Sequence, residues 1–353
     1  MARAFVPLRV SAVERLCSDA VAVTFDIPEE LHDRFAFRPG QALTVRRGIT
    51  GRDDRRSYSI CAAAGRAPRI AVREIDGGAV SGWLVRDVNP GDTIEVLPPS
   101  GTFALDDTQR TGRHVLIAAG SGITPMMSIA TTLLTEPDAS VVLIYGNRRS
   151  DTVMFADELA DLKDRYPTRI ELLHVLSREP READLLSGRL DRARLEALLD
   201  ALVPVAQVDH WWLCGPHEMV QVARAVLTER GVDAKHIHRE LFYVEDVPPD
   251  VAVHRDAVPT GSTSEVTVIL DGRSTPMTLP RDEPLLDAAQ RVRADLPFAC
   301  KGGVCGTCRA RVLDGSVYMR RNFALEDDEI EDGFVLTCQS LPTTERVTVD
   351  YDA

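Results

Sequence analysis

Residues 297–310 read PFACKGGVCGTCRA. Three cysteines, Cys300, Cys305 and Cys308, fall within nine residues padded by glycine. Such a cluster has four chemical readings: a disulfide knot, a zinc site, a redox pair or an iron–sulfur loop. The N-terminus, MARAFVPLRVSAVERL, has no continuous apolar core and reads as a first strand rather than a signal peptide. The chain is therefore expected in the cytoplasm, where disulfides are rare. Seven cysteines, an odd number, also fit a knot poorly.

A fourth cysteine narrows the choice. The spacing is Cys300-x4-Cys305-x2-Cys308, then 29 residues, then Cys338 in FVLTCQS. That is the plant-type [2Fe–2S] pattern, in which four thiolates converge on two irons. Gly302, Gly303 and Gly306 permit the tight wrap such a cluster needs, and their amides can donate to sulfur. Zinc sites favour paired short spacings, often with histidine, and no second CxxC follows. A redox pair would use two cysteines and leave Cys338 unexplained.

The bulk numbers suit an ordinary folded protein with several domains. The chain has 353 residues, 44% hydrophobic and 27% charged, enough for two or three cores. A net charge of −13 argues against a nucleic-acid partner. No run approaches the ~20 apolar residues of a membrane span, and a monomer is expected.

The texture changes along the chain. Residues 1–108 show short alternating runs broken by turn formers, as in FRPGQALTVRR and NPGDTIEVLPPSG, the pattern of an antiparallel β-barrel. Residues 109–243 alternate apolar strands (HVLIAAG, VVLIYG, IELLHVL, HWWLCG) with helical segments, which implies a parallel α/β sheet. Residues 244–264 are rich in Pro, Ser, Thr and Asp and read as a linker. In residues 265–353, two strand-like runs flank Asp271-Gly272, a tight-hairpin signal. A helix-like stretch, EPLLDAAQRVRAD, leads to the cysteine loop.

The α/β segment offers a nucleotide site. Its first strand runs into Gly120-Ser121-Gly122-Ile123-Thr124-Pro125. Glycines there let a pyrophosphate approach a helix N-terminus, and Pro125 suits the first turn. The next strand ends in Gly146-Asn147-Arg148-Arg149, with no carboxylate placed to grip a ribose 2′-hydroxyl. The strand after that ends in Ser177-Arg178. Arg148, Ser177 and Arg178 suit the 2′-phosphate of NADPH, with NADH the other candidate donor. Cys214 sits at a strand end, where α/β sheets bind ligands; a small buried hydrophobe is the plainer reading.

With Arg56-Ser57-Tyr58-Ser59 in the barrel segment and REIDGGAVSGWL after it, the chain resembles the ferredoxin–NADP reductase family followed by a fused ferredoxin domain. The resemblance implies that Arg56 pairs with a flavin pyrophosphate, that Ser57 and Tyr58 line the flavin, and that Ser59 hydrogen-bonds near the flavin N5. It implies that Gly77, Gly78 and Ser81 form the second phosphate turn, which points to FAD. It puts Cys214-Gly215-Pro216 beside the nicotinamide where hydride transfers, with Ser59 and Cys214 as the catalytic pair. Plant reductases end with an aromatic residue over the flavin; this chain continues, and Phe242 lies at the corresponding place.

Among such fusions the motifs RRSYSI, YGNRRS, CGPHEMV, CKGGVCGTC and the tail MRRNFALEDDEIEDGFVLTCQS are most similar to the reductase components of bacterial ring 1,2-phenylacetyl-CoA epoxidases of aerobic phenylacetate catabolism. That resemblance implies NADPH oxidation, with electrons passed through FAD and the [2Fe–2S] cluster to a diiron oxygenase. The reductase of a Rieske dioxygenase, of another diiron monooxygenase or of a cluster-repair system shares the electron-supply motifs. A redox sensor is a rival of another class, against which the intact flavin and nucleotide motifs argue. Asp314 and the run Glu326-Asp327-Asp328-Glu329 are candidates to dock a basic partner, or form a solvated helix face.

Overall fold

The structure, a computed structural model, describes residues 5–49, 52–242 and 263–353. The described part divides into two compact units, one over residues 5–242 and one over 263–353. Most of the expected linker lies outside the described residues; its last two residues, Thr263 and Ser264, open a strand. No helix among the described residues is long and apolar enough to cross a membrane.

In the first unit, β1 (Val6–Cys17), β2 (Ala20–Asp26), β3 (Ala42–Ile49), β4 (Arg52–Ser59), β5 (Arg69–Arg73) and β6 (Thr93–Val96) form an antiparallel sheet. Its order is β4-β3-β6-β1-β2-β5. A bridge between Ile60 and Ile70 brings the two edges together and closes the barrel. Alternation along the strands turns Leu8, Val10, Val21, Val23, Leu43 and Val45 into one core. The short α1 (His32–Phe35) adds Phe35 to that core, and α2 (Ala79–Arg86) adds Val80 and Leu84.

The chain then changes period. β7 (Gly112–Ala119), β8 (Ala139–Asn147), β9 (Ile170–Leu176), β10 (His210–Gly215) and β11 (Ile237–Leu241) make a parallel sheet of order β11-β10-β7-β8-β9. Crossovers run through α3 (Ile123–Leu133), α4 (Ala156–Arg165), α5 (Arg192–Leu202) and α6 (His217–Glu229). Strand order reverses direction between β7 and β10, and ligands of such sheets bind beyond the strand ends at that switch. Gly120–Gly122 after β7 and Cys214 on β10 both lie there.

The barrel and the sheet are cemented together. Ser128 Oγ donates to the Ala62 carbonyl at 2.6 Å, and Thr132 Oγ1 accepts from Ala64 N at 3.1 Å. Arg69 of β5 pairs with Glu158 of α4 at 2.9 Å and with Glu14. Deep in the sheet, Trp212 Nε1 donates to His114 Nδ1 at 3.2 Å, and His114 Nε2 faces the Thr111 carbonyl at 3.0 Å. These two partners fix His114 as a neutral imidazole with its proton on Nε2.

In the second unit, β12 (Thr263–Leu270), β13 (Arg273–Pro280), β14 (Arg309–Asp314), β16 (Phe334–Leu336) and β18 (Arg346–Asp350) form a sheet of order β13-β12-β18-β14-β16. β15 (Val317–Met319) pairs with β17 (Ser340–Pro342). Asp271 and Gly272 turn between β12 and β13 with φ of 54° and 69°, as the Asp-Gly signal requires. The expected helix over EPLLDAAQRVRAD is only α7 (Leu285–Ala289). α8 (Asp327–Glu331) holds the acidic run. Glu326 and Glu329 cap it reciprocally, and Glu329 also pairs with Arg309 at 3.0 Å. Glu326 and Glu329 therefore also serve the fold, although Glu326, Asp327 and Asp328 remain exposed.

Candidate active site

On β4 the period of two puts Arg56 and Tyr58 on one face and Ser57 and Ser59 on the other. Arg56 is exposed, its guanidinium donating to the Arg55 carbonyl at 2.6 Å. Tyr58 is half-buried against the barrel core, and burial raises its phenol above the ordinary range. Ser57 shares a hydrogen bond of 2.9 Å with Thr44 across the strand pair. Ser59 is buried and donates its hydroxyl to Glu240 Oε2 at 3.1 Å.

Glu240 joins two lines of reasoning that the sequence kept apart. On the parallel pair β10–β11 it is the register partner of Cys214. Cys214 is fully buried; burial first, then the Glu240 carboxyl, push its thiol well above the usual range. Burial raises the Glu240 carboxyl to about 8, against which the Ser59 hydroxyl pulls down. Ser59, Cys214 and Glu240 therefore meet where barrel and sheet join, and Glu240 is protonated at neutral pH. Sequence reading passed over Glu240, because in the mixed strand IHREL an acid does not stand out. Phe242 follows two residues later, with its ring exposed.

The phosphate turns follow from local geometry. Gly77, at φ 70°, lies in the left-handed region, with open space where a side chain would stand. A Cβ on Gly78 would collide with Ser81 Oγ and come 2.9 Å from the Ile75 carbonyl. Ser81 Oγ accepts from Ile75 N at 3.1 Å, so its hydroxyl folds the turn at the start of α2. Arg47, which the sequence did not single out, donates to the Ala79 carbonyl at 2.8 Å beside that turn.

In the α/β layer, a Cβ on Gly122 would collide with the Cys214 carbonyl. The dinucleotide turn and the cysteine strand thus pack backbone to backbone. Tyr145 Oη donates to the Gly120 carbonyl at 3.0 Å, and Thr124 Oγ1 to the Ser121 carbonyl at 3.1 Å. Pro125 is buried in the first turn of α3, and a Cβ on Gly215 would press on Met219 Cε at 2.8 Å. The loops after β8 and β9 are zipped together: Ser177 N donates to the Asn147 carbonyl at 2.9 Å, Arg178 N to the Arg148 carbonyl at 2.8 Å. That bond sets Arg148 and Arg178, both exposed, side by side. Glu179 beside them accepts from Ser150 N and Oγ at 2.8 and 2.9 Å, which lowers its carboxyl below the ordinary value.

The four candidate cluster ligands lie near one another in the second unit, Cys300 beside Cys305 and Cys308 beside Cys338, close enough for each thiol to perturb its neighbour. Cys300 is pulled down to about 5, first by its Cys305 partner and then, against burial, by the amides of Gly302, Val304 and Cys305. Gly302 N reaches Cys300 Sγ at 3.3 Å, and the Gly303 amide donates to Cys338. Gly303, at φ 80°, adopts a backbone that few other residues enter. Two pairs of thiols ringed by inward amides are a donor set suited to two ferric or ferrous irons.

Comparison with known proteins gives the same three parts. Residues 7–105 match the oxidoreductase FAD-binding domain, 116–225 the oxidoreductase NAD-binding domain and 268–343 the 2Fe-2S iron-sulfur cluster binding domain. The chain is 45% identical to one component of the 1,2-phenylacetyl-CoA epoxidase of Escherichia coli K12, covering 99% of this chain and 98% of that one. It is 33% identical to the ferredoxin reductase component of the 3-ketosteroid-9-alpha-monooxygenase of Rhodococcus rhodochrous, over 98% and 97%. The solved phthalate dioxygenase reductase superimposes with a TM-score of 0.59 at 25% identity, covering 98% of each chain. The chain therefore belongs to the NAD(P)H-dependent reductases of the ferredoxin–NADP reductase type that carry FAD and a fused C-terminal [2Fe–2S] ferredoxin domain.

Proposed function

We propose that this chain takes hydride from NADPH and delivers single electrons to the diiron oxygenase of a ring 1,2-phenylacetyl-CoA epoxidase. The observation that carries the reductase reading is the meeting of Ser59, Cys214 and Glu240 at the switch point of the sheet. The 45% identity to a component of such an epoxidase supports the choice of oxygenase. Reduction of another oxygenase is the second reading, favoured by the steroid-monooxygenase relative.

Bound FAD would accept the hydride and release its electrons singly to the [2Fe–2S] cluster. The protein's part is to hold and shield. Arg56 and the Gly77-Gly78 turn would hold the FAD pyrophosphate, and Tyr58 would line the flavin ring, with the exposed Phe242 at its other side. Gly120, Gly122, Thr124, Pro125 and Gly215 form the dinucleotide turn and its packing, and Arg148, Ser177 and Arg178 would grip the 2′-phosphate. Ser59 holds its proton toward Glu240, and the protonated Glu240 keeps a negative charge away from Cys214 and from the place where hydride moves. Cys300, Cys305, Cys308 and Cys338 would hold the cluster. The proposed setting is the cytoplasm, with the chain as a monomer; none of its seven cysteines is paired in a disulfide.

Anaerobic titration of the holoprotein with NADPH, then NADH, followed by visible absorbance and electron paramagnetic resonance, tests this. Bleaching of the flavin with a rhombic reduced-cluster signal, more readily with NADPH, is expected. Reduced flavin beside a silent, iron-loaded cluster would overturn the mechanism. Reconstitution with a phenylacetyl-CoA oxygenase component, scored by epoxide formed, tests the partner.

A further inference from the structure

The tail MRRNFAL is the motif that the electron-transfer machinery leaves unused. Its segment Arg320–Phe323 is tied to the cluster loop at both ends. Arg320 N donates to the carbonyl of Gln339, next to Cys338, at 2.9 Å, and Phe323 N donates to the Gly303 carbonyl at 3.0 Å. Gly303 is also the residue whose amide reaches Cys338. Asn322 stiffens the turn: its Oδ1 accepts from Ala324 N and Leu325 N at 3.2 and 2.8 Å, and its Nδ2 donates to the Leu325 carbonyl at 2.9 Å.

The charges around this loop are not equivalent. Lys301 donates to Asp287 at 2.7 Å, and Arg309 is ion-paired with Glu329 at 3.0 Å. Arg320 and Arg321, both half-buried, have no carboxylate partner among the described residues. Two unpaired cations fixed against the cluster loop, in a chain of net charge −13, are placed for a group that arrives from outside.

We propose that Arg320 and Arg321 form the landing edge for the electron acceptor, and that the acceptor is a protein presenting carboxylates around its own redox centre. This rests on the reading that electrons leave through the cluster. The polarity is opposite to the basic partner expected from the acidic run, part of which the fold consumes. Fork-shaped guanidinium groups bind carboxylates bidentately, and local charge of this kind sets encounter rate and salt dependence more than bulk affinity.

The test uses the holoprotein and two haem proteins of opposite charge, acidic cytochrome b5 and basic cytochrome c. Only the rate lost in Cys300→Ser, which is the rate through the cluster, is counted. Arg320→Glu/Arg321→Glu should lower kcat/KM for cytochrome b5 about tenfold or more, flatten its fall with ionic strength, and raise that for cytochrome c. Arg320→Gln/Arg321→Gln should fall between, which keeps the test sound if the charge reversal folds poorly. Reduction of the cluster by NADPH should be unchanged in both. Normal cluster reduction with an unmoved ratio of the two cytochromes would overturn the landing edge. A wild-type cluster that NADPH never reduces would instead overturn the function it rests on.

Discussion

Ser59 donates its hydroxyl to Glu240 across 181 residues of chain, joining the last residue of a barrel strand to an edge strand of the parallel sheet. The bond draws flavin-side and nucleotide-side residues into one polar cluster, and it has measurable consequences.

Glu240→Gln keeps the shape and a hydrogen-bond acceptor but removes the ionisable proton. Because the carboxyl acts here as a neutral acceptor, NAD(P)H–ferricyanide turnover of the variant should stay near wild type at neutral pH, and should lack the fall that the wild type shows as pH rises through about 8. The carboxyl is raised to about 8 from its ordinary 4.5. The native state therefore holds a proton between those values that the unfolded chain has lost, and stability falls as pH rises across that window. The variant should lose this decline, as read by thermal midpoints at pH 5 to 8.

Arg178→Ala should cut kcat/KM for NADPH about tenfold or more and leave NADH within about twofold, since a lost charge-assisted contact to phosphate affects only the phosphorylated cofactor. The main-chain bond from Arg178 N to the Arg148 carbonyl survives this substitution, so equal losses with both cofactors would show that the Arg178 guanidinium does not read the 2′-phosphate.

Cys300→Ser should give protein that binds FAD and reduces ferricyanide at near wild-type rate, yet shows no cluster signal by electron paramagnetic resonance. The domain should also lose stability, because a cluster bound only by folded protein adds its binding free energy to folding.

His114 is fully buried, and burial lowers its imidazole from 6.5 to about 4, with His210 adding to the decrease and the Thr111 carbonyl and Asp209 opposing it. Protonation would also set two N–H donors against each other at Trp212. The unfolded chain takes up this proton below about 6.5 while the native state does not until about 4. Stability should therefore be full above 6.5 and decline as pH falls toward 4, by about 3 kcal/mol at most. Denaturant midpoints over that range should slope less in His114→Gln.

The cysteine spacing, the glycine turns and the change from period-two to helical texture were all legible, because each is a local rule written in consecutive residues. Glu240 was not. Its importance arises from the register of β11 against β10 and from Ser59, neither of which any stretch of sequence displays. The helix after residue 284 came out shorter than its pattern suggested, because past Ala289 the bonding tightens to three-residue turns, as from Arg291 N to the Ala288 carbonyl and Val292 N to the Ala289 carbonyl. The acidic run looked like a surface, yet a capping box and Arg309 claim part of it.

The bonds from Ser128 to Ala62, from Ala64 to Thr132 and from Arg69 to Glu158 make barrel and sheet a single stiff body. A reductase so braced does not need to close around its cofactor. Bracing of this kind would leave little binding energy to be diverted to hinge motion between barrel and sheet. Hydride transfer in such a body should be insensitive to solvent viscosity, and slow steps in turnover should lie in nucleotide exchange or in what happens after the electrons leave the flavin.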